Sequence, residues 1–532
     1  MDSPETQPSS GGWWHERGLD ALAVTVSLAL LAAGTWASYW ALHRNDQYQL
    51  IGLGQCVYHG GRMYVDCWEN KPPGIAWLNA LALLASGGLQ IGAWLLPTVT
   101  AGLTLILVWR VIARLLSPKA GRRTMLIGAA VFSLRLYDTP SINPDFYAAM
   151  LQLAACSLWL VAAARRHGAS EEAAASEPEI SNWPSATRVF LALLSGLFWA
   201  AATSVKQVGC LGLIAITVVS AGVALFSRRE GRNEPRTVAL TWLGFALGAG
   251  AVVAVLAAQG TLGPAWGAVF SANRGLWKWG AVGEAIMLRG RVRADLAPLA
   301  LPLWLSVIGL VVTFYAGSAK DVSRRVAAAM LVWWWVEVLF ALLGPSRSTR
   351  YWQATFPPML LLAATGIYHL RNVSQRLEMQ YGLAYFLLSV TAVVMFMRPM
   401  IAELQRGLLE SHEATKAEPT ERDQLADIGR QVQELVAPGE RIYVWGYHAG
   451  VYVYADRLPA SRFTYPRSQE QMNEILSDLA AGKASLLLIP KRAPEFEPWC
   501  DEECREALSR VLEVCKPDAA IGSYRVWCRE AG

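Results

Sequence analysis

Apolar runs long enough to cross a bilayer recur along almost the whole chain, at about 19–42, 90–113, 124–140, 145–164, 188–204, 207–227, 237–258, 297–317, 326–343, 353–370 and 381–398. A crossing helix needs about 20 mostly apolar residues, so these roughly eleven segments read as an α-helical polytopic membrane protein. Composition agrees: 17% of the 532 residues are charged and 54% hydrophobic, against roughly 25% charged in soluble domains. The net charge of +5 is slight, and the basic residues fall in short clusters between apolar runs. That distribution reports topology and argues against a nucleic-acid partner.

Residues 1–18 are polar and rich in Pro and Ser, the composition of a disordered cytoplasmic tail. The run 19–42 is too long for a signal-peptide core and lacks a cleavage pattern, so it reads as an uncleaved anchor. Placing the basic clusters around Arg110–Arg123, Arg165, Arg228–Arg236, Lys320–Arg325 and Arg371–Arg376 on the cytoplasmic side lets the remaining spans alternate without contradiction. The run at 72–86 then cannot cross, because crossing would put the Arg110–Arg123 cluster on the wrong face. It reads as a juxtamembrane helix at the outer interface, begun by proline. The competing reading is an ordinary span in a twelve-helix protein. The same topology gathers the polar oddities on the extracytoplasmic side: loop 43–73, SINPD at 141–145, SVKQ at 204–207, loop 260–298 and GPSRSTRYWQ at 344–353.

From about residue 400 the composition changes. Strand-like segments at 441–447, 485–490 and 523–528, separated by helical stretches near 468–481 and 500–514, suggest a small extracytoplasmic α/β domain over 400–532, following a membrane domain over 19–399. Cys156 and Cys210 fall in spans and read as small buried hydrophobes. Cys56 and Cys67 share the first outer loop, and Cys500, Cys504, Cys515 and Cys528 the outer domain. Even numbers in an oxidising compartment favour disulfides: Cys56 with Cys67, and among the other four three connectivities stay open.

Chemistry-bearing residues concentrate in 45–74, NDQYQLIGLGQCVYHGGRMYVDCWENKPPG. Asp46 follows the first span directly, where an acid is costly unless it faces water or a partner. Asp145, in NPDFY, reads either as a second functional acid or as a helix N-cap. Lys71, Lys206, Arg347 and Arg350 supply outer-face cations suited to a phosphate; any one of them alone would read as interfacial snorkelling. Trp277 and Trp279 are either stacking platforms or interfacial anchors.

The order D-x-Y after the first span, Y-V-D-x-W-E-N-K-P-P-G, N-P-D, V-K-Q-V-G and S-R-x-x-R-Y-W-Q-x-x-x-P-P resembles bacterial relatives of protein O-mannosyltransferases and of the lipid A aminoarabinose transferase, in the C-type glycosyltransferase superfamily. The C-terminal R-I-Y-V-W-G-Y is similar to their outer domain. The resemblance implies a multi-pass protein of the cytoplasmic membrane that takes a sugar from a polyprenyl-phosphate donor and passes it to an extracytoplasmic acceptor. It implies Asp46 as base, Asp145 as second acid, and Lys71, Glu69, Tyr48, Lys206, Arg347, Arg350 and Tyr351 as substrate-binding. No cofactor is fixed, although the second carboxylate could place a divalent cation. Gln47 after Asp46, and Asn70 between Glu69 and Lys71, depart from many relatives and leave acceptor and metal open. Two other classes compete. A transporter would need polar residues near mid-membrane and often internal repeats, whereas here the charges read as sitting at one face and no repeat is visible; a non-catalytic sensor would keep the outer domain without the chemistry.

Overall fold

The computed structural model describes residues 10–41, 45–164, 184–226, 234–273, 294–315, 321–343, 348–416, 421–491, 506, 509–510 and 516–528. Its membrane part is built from α1 (Ser10–Ala41), α2 (Asn45–Tyr58), α3 (Gly74–Ala85), α4 (Ile91–Leu115), α5 (Pro118–Val131), α6 (Pro144–Ala163), α7 (Ser185–Val205), α8 (Leu211–Phe226), α9 (Glu234–Ala258), α10 (Leu262–Trp266), α11 (Ala300–Tyr315), α12 (Asp321–Leu343) and α13 (Phe356–Lys416). Among the described residues, six helices are long and apolar enough to cross a membrane, so the chain is a multi-pass membrane protein. α6 lies at the centre, with 89% of its apolar window buried.

Several sequence expectations change. Within the segment expected as a loop over 43–73, Asn45–Tyr58 is helical. The helix of the 124–140 run starts earlier, at Pro118, and stops at Val131, followed by a single tight turn at Arg135–Tyr137. α1 starts at Ser10, inside the expected tail. Arg122 belongs to a basic cluster read as a topology marker, yet it is buried and bonds Glu16 at 2.7 Å and Asp20 at 2.8 Å. Removing those acids would leave a buried charge unpaired.

α13 cannot be straight. Ser306 Oγ donates to the Met359 carbonyl at 2.8 Å and Trp304 stacks on Phe396 at 5.3 Å, although residues 359 and 396 of a straight helix would lie about 55 Å apart at 1.5 Å per residue. Phe356 likewise packs on Tyr137 while Glu410 pairs with Arg135. The element therefore doubles back, and its limbs are the apolar runs expected at 353–370 and 381–398. The second limb continues to Lys416, past the expected boundary at 400.

Beyond it α14 (Glu421–Leu435), β1 (Ile442–Val444), α15 (Ala449–Ala455), α16 (Gln469–Ala480), β2 (Leu486–Pro490), β3 (Lys516–Ile521) and β4 (Tyr524–Cys528) form the small domain. Its sheet runs β1-β2-β4-β3, with β1 parallel to β2 and the other pairs antiparallel; β3 had no counterpart in the sequence reading. The domain sits on the first outer segment: Gln55 and Gln90 donate to the Val453 carbonyl at 3.1 and 2.8 Å, and Arg462 donates to the Tyr64 carbonyl at 3.0 Å.

Cys56 and Cys67 are bonded, with Cα atoms 6.5 Å apart, tying the end of α2 to the turn before Glu69. Closing so short a loop stabilises by about 3 kcal/mol in the chain-entropy account. Replacing both cysteines with serine should lower the melting temperature of the detergent-purified protein, and reductant should lower that of wild type by more than that of the double variant. The expected pairings of Cys500, Cys504, Cys515 and Cys528, like Arg347, Trp277 and Trp279, lie outside the described residues or side chains.

Candidate active site

The first turn of α6 is set by Asn143, whose Oδ1 accepts from the Phe146 N–H at 3.0 Å, with Pro144 at the first helical position. Asn143 does the capping, so Asp145 does not. Asp145, 5% exposed, instead forms an ion pair with Lys206 from the end of α7. Lys206 also lies 4.9 Å from the Tyr351 ring centroid, a cation–π contact.

Asp46 begins α2. Arg350 donates to its Oδ2 at 3.0 Å, and the Tyr447 hydroxyl donates to its Oδ1. Burial raises this carboxyl, but the Tyr447 hydroxyl and then Arg350 outweigh it, so Asp46 titrates below its usual range. Burial, and next the Asp46 charge, push the Tyr447 hydroxyl well above the ordinary tyrosine range, so it remains a donor. Tyr447 comes from the small domain, which is therefore part of the site.

Glu69 is 1% exposed and fully engaged: Lys71 Nζ lies at 3.0 Å, Gln49 Nε2 at 3.0 Å, the Asn70 N–H at 3.0 Å, and Arg467 of the small domain at 3.9 Å. Burial raises Glu69, but Lys71 and then Arg467 outweigh it, and the carboxyl titrates below its ordinary range. Its segment is held from two sides, Gln207 and Asn273 donating to the Asn70 carbonyl at 3.1 and 2.8 Å. The following Gly74 packs so closely on α7 that a Cβ there would lie 2.5 Å from the Ser204 carbonyl oxygen. This approach puts Lys71 and Lys206 around one space. Gly74→Ala should push them apart and lower the melting temperature of the detergent-purified protein, since overpacking a close contact costs about 1–3 kcal/mol.

These groups line one cavity of about 510 Å³. Asp46, Glu69, Lys71, Asp145, Lys206, Arg350 and Tyr351 all face it. Tyr48 does not: it is 1% exposed and packs on Tyr454, centroids 5.7 Å apart. The cause is the helical form of α2. At about 100° per residue, Asp46, Gln49 and Leu50 share the cavity face while Tyr48 points away.

Sequence reasoning missed Asp138, Asn143, Glu337, Tyr447 and Arg467. Asp138 sits at the end of what read as a span; its Oδ1 accepts from Gln47 Nε2 at 3.1 Å and its Oδ2 from Asn143 Nδ2 at 3.2 Å. Glu337 carried a readable signal, a lone acid inside WWWVEV. Tyr447 and Arg467 carried none, because only tertiary docking brings them in. Among the described residues no three His, Cys, Asp or Glu side chains converge as metal ligands would; Asp46, Glu69 and Asp145 each face a cation instead.

The family model described as dolichyl-phosphate-mannose-protein mannosyltransferase matches residues 70–170, which include Lys71 and Asp145. A search of characterised proteins finds no match by sequence. Among solved structures, the chain is similar to ArnT from Cupriavidus metallidurans bound to undecaprenyl phosphate: TM-score 0.59, 13% identity, covering 98% of this chain and 99% of that one. The apo state of that ArnT gives a TM-score of 0.57 at 14% identity, covering 98% of each chain. The archaeal oligosaccharyltransferase AglB from Archaeoglobus fulgidus, in complex with an inhibitory peptide and a dolichol-phosphate, gives a TM-score of 0.55 at 13% identity, covering 91% of this chain and 70% of that one. The chain thus carries the fold of the C-type glycosyltransferase superfamily, and residues 70–170 match its protein mannosyltransferase sequence model.

Proposed function

We propose that this protein moves a sugar from a polyprenyl-phosphate donor to a hydroxyl-bearing acceptor on the extracytoplasmic side of the cytoplasmic membrane. One observation carries the reading: four cations, Lys71, Lys206, Arg350 and Arg467, line a single cavity together with Asp46. A departing lipid phosphate needs clustered charge-assisted donors, and an attacking hydroxyl needs a carboxylate within reach. That the neighbours ArnT and AglB were solved with undecaprenyl phosphate and dolichol-phosphate supports the donor class.

Each cation lies near a carboxylate, so the site is close to neutral before substrate arrives. A phosphate entering between Arg350 and Lys71 competes for the Arg350 guanidinium and loosens its hold on Asp46. The Asp46 carboxylate then accepts the proton of the acceptor hydroxyl as that oxygen bonds to the anomeric carbon. The anomeric carbon–phosphate oxygen bond breaks, its electrons leaving with the polyprenyl phosphate, and the anomeric configuration inverts. Lys206, beside Asp145 and over the Tyr351 ring, adds positive charge on the leaving-group side.

Binding tests the reading before any sugar is known. Undecaprenyl phosphate should bind the reconstituted protein and lose affinity as salt rises, and undecaprenol, with the same chain and no phosphate, should fail to displace it. Equal binding of the two lipids would remove the reading.

A further inference from the structure

Glu337 of α12, which lines the cavity, meets Gln152 of α6; the two are 0% and 2% exposed. Gln152 Nε2 donates to the Gly209 carbonyl at 3.2 Å and to Glu337 Oε1 at 3.3 Å, which fixes the orientation of the amide. Trp333 Nε1 donates to the same Oε1 at 3.0 Å. One oxygen is left over on each partner: Gln152 Oε1 and Glu337 Oε2 are buried without a hydrogen-bond partner among the described residues. An ionised carboxylate and an amide oxygen offer only lone pairs, and each buried orphan costs free energy. A hydrogen on Glu337 Oε2 would turn that orphan into a donor and, given to Gln152 Oε1, would satisfy both oxygens and close a two-bond ring between acid and amide.

Charge points the same way. The cavity lining holds Lys71, Lys206, Arg350 and Arg467 against Asp46, Glu69, Asp138 and Asp145, with Glu337 as a fifth acid. Lys206 and Asp145 are the charged groups acting on Glu337, and the Cys210 thiol is the other titratable neighbour. A neutral Glu337 leaves four charges of each sign. An ionised one would stand beside Asp145, with no cation of its own, and draw on Lys206.

We propose that Glu337 is a neutral carboxylic acid locked to Gln152, and that the pair is a positioning device for Lys206. Through the Gly209 carbonyl it holds the turn Gln207–Cys210, which directly follows Lys206 and carries Gln207 to the Asn70 carbonyl. As pH rises and Glu337 loses its proton, the second bond of the ring breaks and a negative charge appears beside the Asp145–Lys206 pair. Binding of the lipid phosphate therefore weakens on the alkaline side.

The activity consequence rests on the proposed transferase function; the protonation does not, and the experiment separates them. Full-length protein in nanodiscs is compared by infrared difference spectroscopy between wild type and Glu337→Gln. Wild type should show a protonated carboxylic acid carbonyl band, sensitive to deuterium exchange, that the variant lacks. Undecaprenyl phosphate is then titrated across pH. Glu337→Gln, which can keep both bonds to Gln152, should bind within about threefold of wild type and lack its alkaline loss, whereas Glu337→Leu, which leaves Gln152 unpaired, should bind about tenfold more weakly. Absence of the acid band, or a Glu337→Gln variant as impaired as Glu337→Leu, overturns the proposal. A wild-type protein that shows the band but never binds undecaprenyl phosphate overturns the transferase reading and leaves the protonated acid standing.

Discussion

Asp46→Asn should lower sugar transfer by about two to four orders of magnitude, the usual contribution of a positioned general base, while undecaprenyl phosphate still binds. The amide retains the size of the side chain and can accept from Tyr447, but it cannot take a proton from the acceptor. The effect should therefore fall on turnover, with little change in the Michaelis constant for the donor. Because Tyr447 and Arg350 hold the wild-type carboxyl of the free protein below its ordinary range despite burial, the acid limb of kcat/KM, which reports the free enzyme, should lie at unusually low pH. The sign for stability follows from the same shift. The folded-state value is depressed, so the contribution is fully present above the unfolded carboxylate value and is lost as pH falls through the lowered one.

Arg350→Ala should cost about two to three orders of magnitude in transfer, as loss of an electrostatic donor at a developing charge does, and it should weaken donor binding as well. Two carboxylates act on this guanidinium, Asp145 and Asp46, so its removal also frees Asp46 from a stabilising charge. The acid limb of whatever activity remains should move to higher pH. Arg350→Lys should restore part of the binding but not full transfer, because a point charge cannot make the bidentate contact. A pH–rate series with the three proteins reads both effects at once.

Much of this site was legible because polar residues are conspicuous in an apolar chain. Lys71, Asp145, Lys206 and Arg350 each stand at the end of a hydrophobic run, and the positive-inside rule put them on one face before any geometry was known. The illegible parts have physical reasons. Whether residues 45–58 form a loop or a helix decides which way Tyr48 points, and a segment this polar gives little hydrophobic period from which to decide it. Asn143 and Asp145 compete for one cap, and their roles separate only when Lys206 is seen to take the acid. Tyr447 and Arg467 lie some 400 residues from Asp46 and Glu69; nothing local in a sequence announces such a docking. The return of α13 was legible as two apolar runs.

The central claim is that Asp46 and the surrounding cations catalyse transfer from a lipid phosphate. Its most direct test is a turnover assay on purified, reconstituted protein, given radiolabelled undecaprenyl-phosphate sugars of several kinds and an extract of envelope glycolipids and proteins as acceptor. Label moving from one of these donors to an acceptor with wild type, and failing to move with Asp46→Asn although the lipid binds both, is the predicted result. Transfer at equal rates by the two proteins would contradict the account.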